Sequence, residues 1–211
     1  MRSGRRPLAI LAVLVAMGAV LPWLINRTAP VGMDLSDRAF IAEILAASGF
    51  PAHGPTDADV TVMVFTDYAC GACRKAAPEL ERAAARDGKV RLVYRDWPVL
   101  GPRSVRAARI ALAVRDDAAY HRLHNALMAA PGLDEASVRD AVIAAGGDWD
   151  NALATSDTAR IDALLERNAR DTFQLGLAGT PGYLVGPNLL IGAHDEAQFA
   201  RAFAQARRPI P

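Results

Sequence analysis

Two cysteines separated by two residues constrain this chain more than any other feature. They are the only cysteines in 211 residues and stand as Cys70-Gly71-Ala72-Cys73. The apolar run Val60–Phe65 before them predicts a strand, and a helical pattern begins at the first cysteine. Two intervening residues place both sulfurs in the first helical turn, close enough to form one disulfide. A strand leading into a helix with this spacing in its first turn is typical of thiol–disulfide exchange.

The start of a helix predicts different roles for the two thiols. At Cys70, unpaired backbone N–H groups and the helix dipole favour a thiolate, so we expect an exposed attacking thiol with a low pKa. Cys73 lies one turn further in, where burial keeps a thiol protonated until it resolves a mixed disulfide. The sequence therefore predicts a catalytic pair with a nucleophile and a resolver.

Other uses of a cysteine pair fit the sequence less well. A structural disulfide stabilises mainly by closing a loop in the unfolded chain, and two intervening residues close almost none. A zinc site needs two further ligands, and the four histidines, His53, His121, His124 and His194, are scattered along the sequence. We therefore expect no metal site and no cofactor, although a dithiol metal chaperone stays open as an alternative function.

The N-terminus predicts a membrane-directed segment over residues 1–26. A positive stretch, Met1–Arg6, precedes the uncharged run Pro7–Ile25, which as a helix would span about 28 Å of a hydrocarbon core of about 30 Å. This length and the preceding arginines favour an uncleaved inner-membrane anchor with its amino end in the cytoplasm. A cleaved signal peptide, ending near Ala16-Met17-Gly18, is the alternative. Either way the remaining chain is expected to lie outside the cytoplasm, in an oxidising compartment.

The remaining residues, about 185 of them, suffice for one well-packed domain or one domain with an insertion. We predict a linker and an N-terminal helix over 27–56, an α/β unit in two parts over 57–102 and 176–211, and an inserted helical domain over 103–175. The net charge of +1 and the lack of a basic stripe argue against nucleic-acid binding.

Within these segments, the pattern predicts a short linker to residue 35, a helix capped by Ser36, and a loop over Phe50–Pro55. Lys89–Tyr94 is a second strand, parallel to the first by the right-handed crossover rule. Four helices are expected in the insertion. A hairpin and the amphipathic helix Asp195–Ala206 follow, which completes the element order of a thioredoxin-like fold interrupted by helices.

Three segments resemble the DsbA-like branch of the thioredoxin superfamily, namely Phe65–Cys73, Tyr94–Pro98 and Gly179–Val185. The resemblance implies a bacterial protein-disulfide oxidoreductase, periplasmic or membrane-tethered, that acts on substrate proteins with cysteine thiols and works with a membrane redox partner. It also implies a cis Thr180–Pro181 bond whose backbone binds the substrate strand. A reductase or isomerase supplied by a membrane electron donor is the alternative.

Three departures from the family pattern bear on the chemistry. Val64 stands where the family usually has a buried acid under the disulfide, while Asp67 is nearer and is either a proton relay or a helix cap. The dipeptide Gly71-Ala72 lacks the histidine of strongly oxidising members, so we expect a less oxidising pair. Gly182 replaces a larger residue after the loop proline, which predicts a wider substrate groove.

Overall fold

A six-stranded sheet organises the computed structural model, which describes residues 17–18 and 30–208. Its strands in chain order are β1 (Met33–Asp34), β2 (Ala52–His53), β3 (Val60–Thr66), β4 (Val90–Asp96), β5 (Gly182–Val185) and β6 (Asn188–Ile191). In space they follow the order β1-β6-β5-β3-β4-β2. Strands β3 and β4 are parallel, and every other neighbouring pair is antiparallel. This arrangement is the thioredoxin-like α/β fold that the element order predicts.

The described residues from position 30 onward contain eight helices. They are α1 (Ala39–Leu45), α2 (Gly71–Asp87), α3 (Pro102–Ala113), α4 (Asp117–Ala129), α5 (Glu135–Ala144), α6 (Trp149–Ala154), α7 (Ala159–Gln174) and α8 (Glu196–Ala206). Helices α3 to α7 lie between β4 and β5 in the chain, where the insertion is expected. The sequence predicts four helices there, and α6 is the additional one.

Aspartates begin most of the inserted helices. The side chains of Asp116, Asp134 and Asp148 each accept a hydrogen bond from the backbone N–H three residues on, which satisfies a donor that the helix itself leaves unpaired. The predicted Ser36 cap is wrong, because α1 begins after Arg38 without a side-chain cap. The Ser36 N–H instead donates to the Asp34 carboxylate in the preceding turn.

Strand β3 is buried on both faces, as its continuous apolar run predicts. Val62 and Val64 belong to a cluster that includes residues of α2, α8 and the inserted helices. Met63 and Phe65 point the other way, into a cluster with α1 and the segment after α7. Since successive side chains in a strand alternate between faces, β3 holds both helical layers onto the sheet.

Two edge strands lie in segments for which the sequence predicts a linker and a loop. Strand β2 pairs with β4, Ala52 opposite Val93, and the Tyr94 N–H donates to the Pro51 carbonyl at 2.9 Å. Strand β1 pairs with β6. Each has only two residues, too few to show the alternation that identifies a strand.

From Val31 onward the chain forms one compact unit. Leu123 of α4 and Val142 of α5 share a buried cluster with residues of β3 and β4, so the inserted helices and the sheet are packed into a common core. No helix among the described residues is both long and apolar enough to cross a bilayer. The predicted segment 1–26 lies outside the described residues apart from Met17 and Gly18.

Candidate active site

The two cysteines lie shortly after the end of β3, at the start of α2. Cys70 is the N-cap residue of α2, and its sulfur accepts a hydrogen bond from the Cys73 N–H at 3.3 Å. Both residues are free thiols. The first turn of the helix therefore brings the two sulfurs together, as the spacing predicts.

The surroundings of the two sulfurs affect their pKa values in opposite directions. Burial raises the pKa of Cys70, but hydrogen bonds from the Cys73 thiol, the Thr180 side chain and the first-turn backbone outweigh it and lower the net value. Burial and the hydrogen bond with Cys70 raise the pKa of Cys73 to about 12. Cys70 is 7% exposed and Cys73 is 1% exposed, so Cys70 is less accessible than the sequence led us to expect.

A second chain segment meets the cysteines across the sheet. Strand β5 pairs antiparallel with β3, with Gly182 opposite Phe65, and this register carries Thr180 to the end of β3. The Thr180–Pro181 peptide bond is cis, and the Cys70 thiol donates to the Thr180 carbonyl at 3.3 Å. The Thr180 backbone, separated by 110 positions in the chain, thus lies beside the N-terminal sulfur.

Gly182 makes room for packing beneath the loop rather than widening a groove. The residue is buried at the start of β5, and a Cβ placed there would lie 2.6 Å from a methyl group of Leu177. Leu177 itself is 7% exposed and packs in the cluster on the α1 face of the sheet. The Leu177 side chain fills the space beside Gly182, so the glycine does not widen the substrate groove as the sequence predicts.

The Asp67 carboxylate organises the loops on either side of the cysteines. It is 1% exposed and accepts hydrogen bonds from the Ala69 N–H at 2.7 Å, the Val99 N–H at 2.8 Å and the Leu100 N–H at 3.0 Å, and from the Ser104 hydroxyl. Of the two roles that the sequence allows for Asp67, the helix cap is excluded, because Cys70 is the N-cap residue. The hydrogen bonds of Asp67 instead join the loop before Cys70 to the loop before α3.

A buried polar chain lies on the neighbouring strand. Asp96, in register with Thr66 and 1% exposed, accepts a hydrogen bond from the Tyr120 hydroxyl at 2.8 Å. The Tyr68 hydroxyl is 3.3 Å from that of Tyr120 and 3.1 Å from Nδ1 of His124. Burial raises the pKa of Asp96 to about 7 and lowers the pKa of His124 to about 4. The sequence includes Asp96 in the Tyr94–Pro98 motif but gave no reason to assign it a role.

This chain of polar side chains ends next to Cys73. His124 and Cys73 line one small cavity of about 10 Å³, together with Thr66, Glu81 and Tyr94. A volume of this size holds about one water molecule. The position usually taken by a buried acid is Val64, also in the cavity wall. The carboxylate in the wall of this cavity is that of Glu81 on α2, and His124 of α4 joins it from the inserted helices.

The Arg74 side chain makes hydrogen bonds to two backbone segments around the active site. Its position after Cys73 predicts a solvated surface charge, but Nε donates to the Tyr68 carbonyl at 2.7 Å and Nη1 donates to the Ala130 carbonyl. Arg74 therefore joins the start of α2, the loop before Cys70 and the end of α4. No local sequence pattern indicates this contact, because Ala130 is 56 positions away.

A thioredoxin-like sheet with a cysteine pair at the start of α2 and the Thr180–Pro181 loop against it defines a class, the thiol–disulfide oxidoreductases of the thioredoxin fold. The profile of the DSBA-like thioredoxin domain matches residues 61–204, and the chain belongs to this family. The protein is therefore a protein-disulfide oxidoreductase, as its resemblance to DsbA-like proteins implies.

Solved structures agree with this membership. A thioredoxin-like oxidoreductase from Silicibacter pomeroyi is 32% identical, with a TM-score of 0.76, over 82% of this chain and 99% of that one. The thiol-disulfide exchange protein alpha-DsbA2 from Wolbachia pipientis is 27% identical, with a TM-score of 0.75, over 81% and 94%. The catalytic domain of Proteus mirabilis ScsC is 28% identical, with a TM-score of 0.73, over 82% and 98%. No curated protein sequence matches significantly.

Proposed function

We propose that the protein exchanges disulfides with substrate proteins outside the cytoplasm, with Cys70 as the reacting thiol and Cys73 as the resolving thiol. The observation that carries this assignment is the opposite direction of the two pKa shifts. A lowered pKa gives Cys70 thiolate character, and the thiolate is the nucleophile in exchange. A pKa of about 12 keeps Cys73 protonated between reactions.

The oxidising direction can be written from these two sulfurs. A substrate thiolate attacks the Cys70 sulfur of the Cys70–Cys73 disulfide, a mixed disulfide forms at Cys70, and Cys73 leaves and takes up a proton. A second substrate thiolate then attacks the substrate sulfur, which releases Cys70 as a thiolate. Two electrons pass from the substrate to the pair, and the substrate gains one disulfide. The reducing direction is the same sequence reversed.

Thr180 and Pro181 are the proposed substrate-binding residues. The Thr180 carbonyl is already 3.3 Å from the Cys70 sulfur, so a peptide strand that pairs with this backbone would bring its own cysteine to the same sulfur. Gly71 and Ala72 contribute to the environment of the pair through the backbone, since the Ala72 N–H is among the groups that lower the pKa of Cys70. Their side chains carry no charge.

Alkylation and trapping experiments test the division between the cysteines. In the reduced protein, Cys70 should react with iodoacetamide faster than Cys73. Cys73→Ala should accumulate mixed disulfides with substrate proteins, because the attacking thiol remains and the resolving thiol is gone. The matched variant Cys70→Ala should trap little. Equal behaviour of the two variants, or faster alkylation of Cys73, would contradict the assignment.

A dithiol metal chaperone fits these sulfurs less well. Metal ligation requires deprotonated thiols, and a pKa of about 12 at Cys73 opposes this for one of the two. Stoichiometric metal retained by the reduced protein and lost on alkylation of both cysteines would favour the chaperone instead.

The location outside the cytoplasm follows from residues 1–26 and has its own test. We expect the protein to remain in the membrane fraction after alkaline washing, with a mature N-terminus at or near Met1, because the run Pro7–Ile25 is long enough to span the bilayer. A washed-out protein that begins near Ala19 would indicate a cleaved signal peptide and a periplasmic protein without a tether.

A further inference from the structure

A cluster of two histidines and a carboxylate adjoins the candidate active site through Glu81, which also lines the small cavity beside Cys73. His53 belongs to the edge strand β2, Glu81 to α2 and His121 to α4, so three separate elements meet there. One nitrogen of each histidine and one oxygen of Glu81 all lie within 4.8 Å of one another. The sequence predicts no metal site because its histidines are scattered, but the fold brings two of them together.

We propose that His53, Glu81 and His121 form a binding site for a divalent transition-metal ion of the zinc class. Two imidazoles and one carboxylate are a donor set that zinc accepts with a fourth position left for water. In a tetrahedral site with bonds of about 2.0 Å, neighbouring ligand atoms are roughly 3.3 Å apart. The Glu81 oxygen and His121 Nε2 are already 3.1 Å apart, so one edge of the tetrahedron is in place.

His53 completes the site by turning. Its ring is stacked on that of His121, with centroids 3.6 Å apart and planes inclined by 5°, so the two in-plane lone pairs run side by side and do not converge. His53 is exposed on β2 and can rotate about its side-chain bonds toward a bound ion. A cavity of about 180 Å³ beside His53 and Glu81 provides access and space for metal-bound water.

The groups around the cluster favour a cation. The Tyr94 hydroxyl donates to the second oxygen of Glu81 at 2.7 Å, which orients the carboxylate as outer-shell partners do in metal sites. Nε2 of His121 is also 3.1 Å from the side-chain nitrogen of Asn125, and ligation of an ion by Nε2 would replace this contact. Arg91 is the nearby positive charge, and it is partly offset by Asp117 at 3.9 Å.

His53 and Glu81 are in the protonation states that metal binding needs. Burial and the neighbouring His121 lower the pKa of His53, so its ring is neutral at pH 7. Burial raises the pKa of Glu81, but hydrogen bonds from His121 and Tyr94 lower it to a net value below its usual one, so the carboxylate is charged.

Zinc titration of the oxidised full-length protein tests the proposal, since a Cys70–Cys73 disulfide removes the thiols as ligands. Competition with a chromophoric zinc chelator should show one ion per chain. His53→Ala, His121→Ala and Glu81→Gln should each weaken the affinity at least 10-fold, and His194→Ala is the matched control that should not change it. His53→Ala removes an exposed side chain, so it keeps a readout even if a more buried variant fails to fold.

Three outcomes would overturn the site. They are no zinc bound by the oxidised protein, an affinity unchanged in His53→Ala, and zinc bound only when the cysteines are reduced. Disulfide exchange in His53→Ala should stay at the wild-type rate, since this residue is outside the candidate active site. A loss of zinc binding therefore leaves the proposed function untouched, and failure of either proposal is distinguishable from failure of the other.

Discussion

Cys70 and Cys73 occupy one helical turn, yet a negative charge is far less favourable at the second sulfur. The spacing and the helix start predict this order, because both are local in sequence. The extent of burial was not predictable, since the cover over Cys70 comes from Thr180 and the wall around Cys73 from His124. Contacts across more than fifty positions leave no local pattern in a single sequence.

Asp96 and His124 make opposite contributions to the pH dependence of folding. Asp96 has a pKa near 3.8 when unfolded and about 7 when folded, so between these values only the unfolded chain has lost the proton, and stability falls as pH rises. His124 has a pKa near 6.5 when unfolded and about 4 when folded, so only the unfolded chain is protonated there, and stability rises as pH rises. In the wild type the two slopes nearly cancel between about pH 4 and 6.5.

Single substitutions should separate the contributions of Asp96 and His124 to the pH dependence of stability. Relative to the wild type, Asp96→Asn should become more stable from pH 4 to pH 7, by roughly 3 kcal/mol at 1.4 kcal/mol per pKa unit. His124→Gln should become less stable over pH 4 to 6.5 by a similar amount. Urea unfolding at a series of pH values measures both differences, and differences that do not vary with pH would contradict the assigned protonation states.

At the scale of elements, Arg95 fastens the sheet to the inserted helices. Arg95 lies on β4, and its side chain is fully buried. Its Nε donates a hydrogen bond to the Asn168 side chain at 2.5 Å, and its Nη2 donates to the Asp171 carboxylate; both partners lie on α7. Its guanidinium carbon is 3.8 Å from the centre of the Phe50 ring. The planar group thus meets a carboxylate, an amide and an aromatic face at once, which a lysine cannot do.

Removal of the Arg95 side chain should lower the free energy of unfolding far more than removal of the Arg91 side chain on the same strand. Arg95→Ala leaves Asp171 as a buried charge without its partner, and we expect a loss of about 3–5 kcal/mol in the free energy of unfolding. Arg91→Ala, on the same strand, is the control. Its ion pair with Asp117 is partly exposed and 3.9 Å long, so its removal should cost less than about 1 kcal/mol. Equal losses in urea titrations would refute the fastening role.

The elements that the sequence predicts and those that it misses differ in length. Strand β3, helix α2 and the final hairpin extend over enough residues to show a period and boundary signals, and β3 lies within one residue of its predicted limits. Strands β1 and β2 have two residues each, and α6 has six. Their positions are determined by pairing and packing partners elsewhere in the chain. His53 lies on one of these unpredicted strands, so its contact with His121 was equally hidden.

At the scale of the whole molecule, the reduction potential decides which way electrons flow. Gly71 and Ala72 place no cation beside the Cys70 sulfur, and His124 is neutral at pH 7 because burial lowers its pKa to about 4. We therefore expect a potential of roughly −150 to −230 mV, below the −120 mV or so of the strong oxidant DsbA. Equilibration in glutathione buffers of graded ratio, followed by thiol counting, measures it.

The measured reduction potential distinguishes an oxidase from a reductase or isomerase. A value near the upper end of that range favours an oxidase in the periplasm, and one near the lower end favours a reductase or isomerase supplied by a membrane donor. A pair as oxidising as DsbA would contradict the argument from the dipeptide and would require another group to stabilise the Cys70 thiolate.

One carboxylate links the backbone beside Cys70 to two exposed apolar side chains. Asp67 binds the backbone of Ala69, next to Cys70, and also the backbone of Val99 and Leu100, whose side chains are 45% and 54% exposed. We expect a substrate protein that contacts Val99 and Leu100 to present its cysteine at a fixed spacing from that contact.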